Sequence, residues 1–124
     1  DYVAHMDANG TPAMLTHYGF FAEAIKYDAF MNVDQTQLTE IEEEHVTPHF
    51  YKTGKFDTHY IPMPESIQVK PYRFTLDTPD DMRIAKTMLA RLPEQYSYRE
   101  LLALIEEYPE LLEDMREIIR KEVK

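Results

Sequence analysis

The 124-residue sequence contains no cysteine, which excludes disulfide bonds, thiolate metal sites and a cysteine nucleophile. A chain without cysteine suits the reducing cytoplasm, and we expect a cytoplasmic protein. No apolar run approaches the roughly 20 residues that a membrane span requires, and no signal-peptide pattern occurs. We therefore expect no membrane partner.

Glycine occurs only three times, so the chain has no glycine-rich loop of the kind that cradles nucleotide phosphates. Positive charge is also scarce, because 13 Lys and Arg stand against 23 Asp and Glu, a formal net charge of −10. This balance argues against nonspecific nucleic-acid binding, and we expect no nucleic-acid partner. A local phosphate site remains compatible with it.

The residues that are present indicate one folded domain. Hydrophobic residues make up 44% of the chain and charged residues 29%, which favours folding over disorder. The length is that of a single domain, which we place at residues 1–124. Because the chain begins with Asp1 rather than Met, we interpret it as part of a longer protein.

Three segments have strand character. The apolar run at residues 20–25 is typical of a short buried strand, and residues 56–63 and 72–76 alternate between apolar and polar side chains. The last two together predict a small sheet. Residues 1–18 show no such pattern and are expected to be irregular.

Helices are indicated mainly in the second half. Pro48 should bend or restart a helical segment at residues 38–53. Thr78 and Pro79 mark a later helix start, and Ser97 with Glu100 forms a capping box. Pro109 opens the last helix. The predicted fold class is therefore α/β, or α+β for an isolated piece, with a small sheet and three or four helices.

Apolar stripes are expected on these helices at a spacing of three to four residues. On the first of them the stripe comprises Met82, Ala85, Met88, Leu89 and Leu92. On the last it comprises Leu111, Leu112, Met115, Ile118, Ile119 and Val123. We interpret such stripes as core, or as a dimer interface where the chain cannot cover them itself.

Asp77 is the main candidate for chemistry. It follows directly after the alternating segment at residues 72–76 and stands next to the helix-start residue Thr78. A carboxylate at a strand end beside a helix N-terminus suits Mg²⁺, which prefers hard oxygen ligands. A turn or a helix cap explains the same residue, and the local sequence leaves both open. Asp80 and Asp81 are expected to complement the helix dipole.

His45 and His49 have the i, i+4 spacing of a zinc-binding pair on one helix face. Pro48 lies between them, and no glutamate does. The proline disturbs the helix face on which both rings would have to lie, so the pattern does not favour zinc.

Four segments carry a resemblance to a known family. They are GFFAEAIKYDAF, EEEHVTPHFYKTGKFDTHYIPMP, YRFTLDTPDDMRIAKTMLARL and YSYRELLALIEEYPELLEDM. In this order they resemble the C-terminal part of the cytidylyltransferase family, which includes spore-coat polysaccharide biosynthesis protein F, acylneuraminate cytidylyltransferases and CMP-KDO synthetases. The resemblance covers about residues 19–115.

The resemblance implies that the chain is the C-terminal portion of a nucleotide-diphospho-sugar-transferase-like domain. Such enzymes transfer the CMP group of CTP to a sugar, often an acidic one, for surface polysaccharide, and release pyrophosphate. The implied cofactor is Mg²⁺ and the implied assembly is a homodimer. By the Asp-Thr-Pro motif Asp77 would ligate the magnesium, and Glu23 falls in the segment that lines the sugar side.

The chain departs from the family in three respects, one of which is that Phe21 stands two residues before Glu23, where the family usually has an acid. The family's N-terminal nucleotide-binding loop and its second magnesium-binding aspartate have no counterpart in residues 1–124, so we assign no catalytic residue and expect no catalysis by this chain alone. The alternative is a non-catalytic interaction module that kept the fold and dimerises or binds a partner through the helices of residues 97–124.

Overall fold

The structure is a computed structural model, which describes residues 1–34, 37–45 and 47–122. In these ranges the strands are β1 (Tyr2–Met6), β2 (Ala24–Ile25) and β3 (Thr58–Pro62), and a 3₁₀ turn covers Ala13–Leu15. The helices are α1 (Tyr27–Met31), α2 (Glu40–Glu44), α3 (Pro48–Lys52), α4 (Glu65–Gln68), α5 (Pro79–Leu89), α6 (Tyr98–Glu107) and α7 (Pro109–Glu122).

The predicted mixed α/β class is confirmed at this coarse level. The expected number of three or four helices is wrong, because the described part of the chain contains seven. Only α5, α6 and α7 are longer than five residues. None of the helices in the described ranges is both long and apolar enough to cross a membrane.

The sheet has the order β2-β1-β3 and is mixed. The central strand β1 pairs antiparallel with β2 and parallel with β3, with Tyr2 opposite both Ile25 and Thr58. The prediction that residues 1–18 are irregular is therefore wrong at Tyr2–Met6. Only Tyr2 and Ala4 of this strand are buried, and two positions are too few to make a period-two pattern visible.

The three predicted strands had different outcomes. Residues 56–63 contain β3, as predicted, and residues 20–25 form a strand only at Ala24–Ile25. The predicted strand at residues 72–76 is wrong, because that segment is irregular. Tyr72 and Arg73 are consecutive and both buried, which does not fit a strand with one exposed face.

Two hydrophobic clusters hold the chain together. The larger joins α5, α6 and α7 to α4 and includes the fully buried Ile67, Ile105 and Met115. The smaller lies on the sheet and is centred on Tyr2 and Phe50. α7 packs against both α5 and α6, and this arrangement places the end of α7 near the start of α5.

The predicted apolar stripe of α5 is right for Met88, which is buried, and for Leu92, which packs against the core, and wrong for Met82 and Leu89. Ile84 and Met88 are buried together with Asp81, whereas Met82 is 44% exposed and Leu89 is 54% exposed. The predicted stripe omits Ile84, which lies with Met88 and Asp81 on the buried face of α5. The α7 stripe is confirmed for Leu111, Leu112, Met115 and Ile118, which are buried, while Val123 lies outside the described residues.

Gly19 fixes the approach of an early loop to the segment before α5. Its φ of +72° lies in the left-handed region, and a Cβ at this position would stand 2.7 Å from the carbonyl carbon of Phe74. The Phe74 N–H also donates to the His17 carbonyl at 2.8 Å. Residues 17–19 and 73–75 are thereby in direct backbone contact.

Candidate functional site

Asp77 lies in the irregular segment just before α5. Its side chain is 64% exposed, and the Arg73 Nη2 donates to its Oδ2 at 3.2 Å. Its backbone N–H donates to Asp81 Oδ2 at 3.0 Å. The strand expected before Asp77 is absent, so its position depends on these two contacts and on the helix cap that follows.

Arg73 is the centre of this site. Its guanidinium is fully buried and its Nε and Nη2 bind the Asp81 carboxylate at 2.7 and 3.0 Å. Nη1 and Nη2 bind the Glu122 carboxylate at 2.6 and 2.7 Å. Two bidentate pairs of this kind use the planar fork of arginine, which lysine cannot reproduce.

His17 completes the surroundings of Arg73. The Arg73 Nη1 lies 2.8 Å from His17 Nδ1. Because a guanidinium can only donate, His17 accepts at Nδ1 and its Nε2 carries the hydrogen. One guanidinium therefore connects the early loop, the start of α5 and the last turn of α7, and it faces three carboxylates.

Asp81 is ionised at neutral pH by its surroundings. Burial alone would raise the pKa of this carboxyl, but hydrogen bonds from Arg73, from the Thr78 hydroxyl and backbone, and from the Asp77 backbone outweigh it. They lower the pKa of Asp81 to about 2. Asp81 is thus the capping-box residue of α5 and also the main partner of Arg73.

The sequence patterns found Asp77 and missed Arg73, His17 and Glu122. The sequence did contain one indication for Arg73, because it stands between the aromatic residues Tyr72 and Phe74. A charged residue in such a segment is unusual, since charged side chains are rarely buried in a core. His17 and Glu122 are 56 and 49 residues from Arg73 in the chain. No local pattern predicts contacts at that separation.

At Asp77 a single protein carboxylate is available to magnesium. Within the described ranges, no group of three or more His, Cys, Asp or Glu side chains could hold a metal ion. Asp77 offers an exposed carboxylate whose Oδ2 binds Arg73 and whose Oδ1 makes no hydrogen bond or ion pair among the described residues. This donor set suits Mg²⁺ that arrives with phosphates and takes one protein carboxylate, and it does not suit an all-protein site.

Glu23 is joined to the smaller hydrophobic cluster through Tyr2. The Tyr2 hydroxyl donates to its Oε1 at 2.6 Å. Burial and this hydrogen bond raise the pKa of Tyr2, and burial followed by the charge of Glu23 raises that of Tyr51. No hydrogen bond or ion pair joins Glu23 to Asp77 in the part of the chain that the structure describes.

The two histidines of the zinc-like pattern have separate partners. His49 is buried, and its Nδ1 lies 3.1 Å from Glu42 Oε1. His45 is exposed and lies 3.9 Å from Glu44 Oε1. Pro48 starts the new helix α3 between them, so their rings do not share a helix face.

A cavity of about 500 Å³ lies beside the Arg73 network. Arg73 and Asp81 line one part of it. The remaining walls are mostly apolar and include Phe20, Phe74, Leu76, Met88, Leu89 and Tyr96. The Thr75 hydroxyl, in a residue that also lines the cavity, has no hydrogen-bond partner among the described residues. The candidate site thus combines a buried ion network with an open apolar wall.

No protein-family model matches the chain, and no match is found among curated proteins or among solved structures.

Proposed function

We propose that this chain is the C-terminal part of a cytidylyltransferase that transfers the CMP group of CTP to a sugar. The observation that carries the proposal is the exposed carboxylate of Asp77, held by Arg73 and Asp81 at the start of α5. The motif resemblance around residues 77–81 supports the same role. The proposed partners are CTP and a sugar, often an acidic one, in the cytoplasm.

In this proposal the residues of the chain bind and orient, and they perform no covalent step. Asp77 would hold Mg²⁺ through its Oδ1, and bound Mg²⁺ would offset the charge of the triphosphate. Arg73 and Asp81 keep the Asp77 backbone and side chain in place. Glu23 is proposed to hydrogen-bond the sugar through the oxygen that Tyr2 does not engage. The nucleotide-binding loop would come from residues beyond this chain.

Replacing Asp77 with Asn is expected to weaken binding of Mg²⁺–CTP, because an amide is neutral and a poor magnesium ligand. We expect at least a tenfold loss in affinity by isothermal titration calorimetry, which corresponds to about 1.4 kcal/mol. Asp80→Asn is the matched control, since Asp80 is exposed in the first turn of α5 and its ion pair among the described residues is with Arg83. Equal affinities of Asp77→Asn and the unchanged chain would overturn the proposal.

A second candidate is a non-catalytic module that forms a homodimer. The observation that favours it is the exposed apolar surface around the cavity, where Leu76 is 57% exposed and Leu89 54%. In the helices of residues 97–124, Leu112 is buried in the core, so a dimer contact through these helices would use other residues. The exposed apolar residues beside the cavity, Leu76 and Leu89, offer a second surface for such a contact.

Replacing Leu89 with Asp is expected to dissociate such a dimer, because it places a charge in the apolar contact. The dissociation constant from sedimentation velocity should rise about tenfold or more. Val69→Asp is the control, since Val69 is 70% exposed and does not line the cavity. A monomeric chain, or equal effects of both substitutions, would contradict the dimer.

A further inference from the structure

The cavity beside the Arg73 network has the size of a small-molecule site. Its volume is about 500 Å³, and small-molecule sites usually enclose about 300–1,000 Å³. The irregular segment before α5, α5 itself and the start of α6 all contribute to its wall. Four aromatic residues are among those that line it, namely Phe20, Phe74, Tyr96 and Tyr98.

Much of this apolar wall is open to solvent. Phe20 is 39% exposed, Tyr96 43% and Leu89 54%. The ring centroids of Phe20 and Phe74 lie 5.2 Å apart, and their planes are tilted by 39°. Because aromatic rings pack well against offset or tilted rings, a planar ring that enters the cavity gains contacts that water does not provide.

The two charged residues of the wall, Arg73 and Asp81, are already paired with each other. Arg73 Nε and Nη2 donate to the Asp81 carboxylate at 2.7 and 3.0 Å. Arg73 Nη1 is engaged by His17 and Glu122. The Asp81 Oδ2 also accepts from the backbone and the hydroxyl of Thr78. A charged ligand would find no free counter-charge among these described wall residues, and its lost hydration would not be compensated.

One polar group of the wall lacks a partner. The Thr75 hydroxyl oxygen is buried and has no hydrogen bond among the described residues, and Thr75 lines the cavity. A buried hydroxyl without a partner is unfavourable, and most such groups in proteins are paired. A ligand with one hydrogen-bonding group can supply the missing partner.

We propose that this cavity binds a small, uncharged, planar aromatic molecule that carries one hydrogen-bonding group for the Thr75 hydroxyl. The volume sets the size of this ligand, the aromatic wall sets its shape, and the paired Arg73 and Asp81 disfavour a charge. Asp77 does not line the cavity, so the site is separate from the one proposed for Mg²⁺ and CTP.

The charge of the ligand is tested with two fluorescent probes that share their rings. N-phenylnaphthylamine is uncharged and has one N–H group, and anilinonaphthalene sulfonate adds a sulfonate. Each is titrated into the chain at a concentration where sedimentation velocity shows a monomer. The uncharged probe is expected to bind about tenfold more tightly or better. Equal affinities, or tighter binding of the sulfonate, would overturn the inference.

Ala85→Trp tests the location, because Ala85 lines the cavity from α5 and an indole there fills it. Ala90→Trp is the matched control, since Ala90 is exposed at the end of α5 and does not line the cavity. The affinity for the uncharged probe should fall about tenfold or more in Ala85→Trp and stay unchanged in Ala90→Trp. Equal affinities of the two folded variants would place the probe elsewhere and contradict the proposal.

Thr75→Val covers the case in which Ala85→Trp does not fold, since it keeps the side-chain shape and removes the hydroxyl. Loss of one hydrogen bond is expected to weaken binding of the uncharged probe about fivefold. Thr87→Val is the control, because Thr87 donates to the Arg83 carbonyl within α5 and does not line the cavity. Unchanged affinity in a folded Thr75→Val chain would refute the role of this hydroxyl and with it the proposed ligand.

A second copy of the chain is the competing occupant of the same surface. A chain that stays dimeric on dilution, and that Leu89→Asp separates into monomers, has its cavity covered by that copy. This result would overturn the inference. A monomer that takes up the uncharged probe and loses it in Ala85→Trp supports a small-molecule site.

Discussion

Replacing Arg73 with Met lowers the free energy of unfolding by about 3–5 kcal/mol, the usual cost of removing one partner from a buried ion pair. The Asp81 side chain is only 2% exposed and would be left without a counter-charge. Glu122 and His17 would lose their shared donor as well. Methionine fills a similar volume, so the loss reflects the charge and its hydrogen bonds.

Urea denaturation measures this change, with Arg83→Met as the control. Arg83 is 57% exposed in its ion pairs, and exposed pairs contribute only about 0–1 kcal/mol. A large difference between the two variants is therefore expected. Equal losses would show that the Arg73 network is not the buried ion cluster described above.

Lowering the pH from about 5 to about 2 will destabilise the chain. The pKa of Asp81 is lowered to about 2 from its ordinary value of 3.8, because the hydrogen bonds of Arg73, Thr78 and Asp77 outweigh the effect of burial. The pKa of Glu42 is lowered from 4.5 to about 2, first by the backbone and hydroxyl of Thr39 and then by His49.

The direction of this change in stability follows from which state, folded or unfolded, binds the proton more tightly. Both carboxyls have a lower pKa in the folded chain than in the unfolded chain. Each therefore contributes its full share to the free energy of unfolding at a pH above its pKa in the unfolded chain. This contribution is lost as the pH falls through the pKa values of the two carboxyls in the folded chain. For Asp81 alone a shift of this size corresponds to about 2 kcal/mol.

The measurement is the free energy of unfolding by urea as a function of pH, for the unchanged chain and for Asp81→Asn. The asparagine variant is less stable near neutral pH, and its stability falls less between pH 5 and 2. Parallel curves for the two proteins would show that Asp81 does not have a lowered pKa. The stability of Glu42→Gln should likewise fall less between pH 5 and 2, because this variant removes a carboxyl in a different part of the fold.

Helix starts could be predicted from the sequence because their contacts are local. Thr78 with Asp81 and Ser97 with Glu100 are three residues apart, and both pairs form in the structure. Pro48 and Pro109 start helices for the same local reason, since proline fits the first turn. Each of these elements is encoded within one helical turn of sequence.

The sheet and the site depend on contacts between distant residues. The central strand was missed because Tyr2 and Ala4 are buried by partners near residues 25 and 58, which no neighbouring residue indicates. Residues 72–76 alternate like a strand, yet Arg73 turns inward to meet Asp81 and Glu122. Asp81, the partner of Arg73, likewise occupies a buried position on α5 that a hydrophobic pattern does not indicate.

The role of Asp77 was predicted as a metal ligand at a strand end. The carboxylate does stand beside the start of α5, but an arginine network holds it in place of a strand. This difference matters for the proposal, because the orientation of Asp77 then depends on the end of α7 through Glu122. The sequence around Asp77 does not predict that dependence.

The most direct test of the account is a titration of the chain with CTP, once with Mg²⁺ and once with EDTA, for the unchanged chain and for Asp77→Asn. The account predicts that Mg²⁺ strengthens CTP binding by the unchanged chain and has no effect on Asp77→Asn. An equal gain from Mg²⁺ in both proteins would contradict a magnesium-binding role for Asp77.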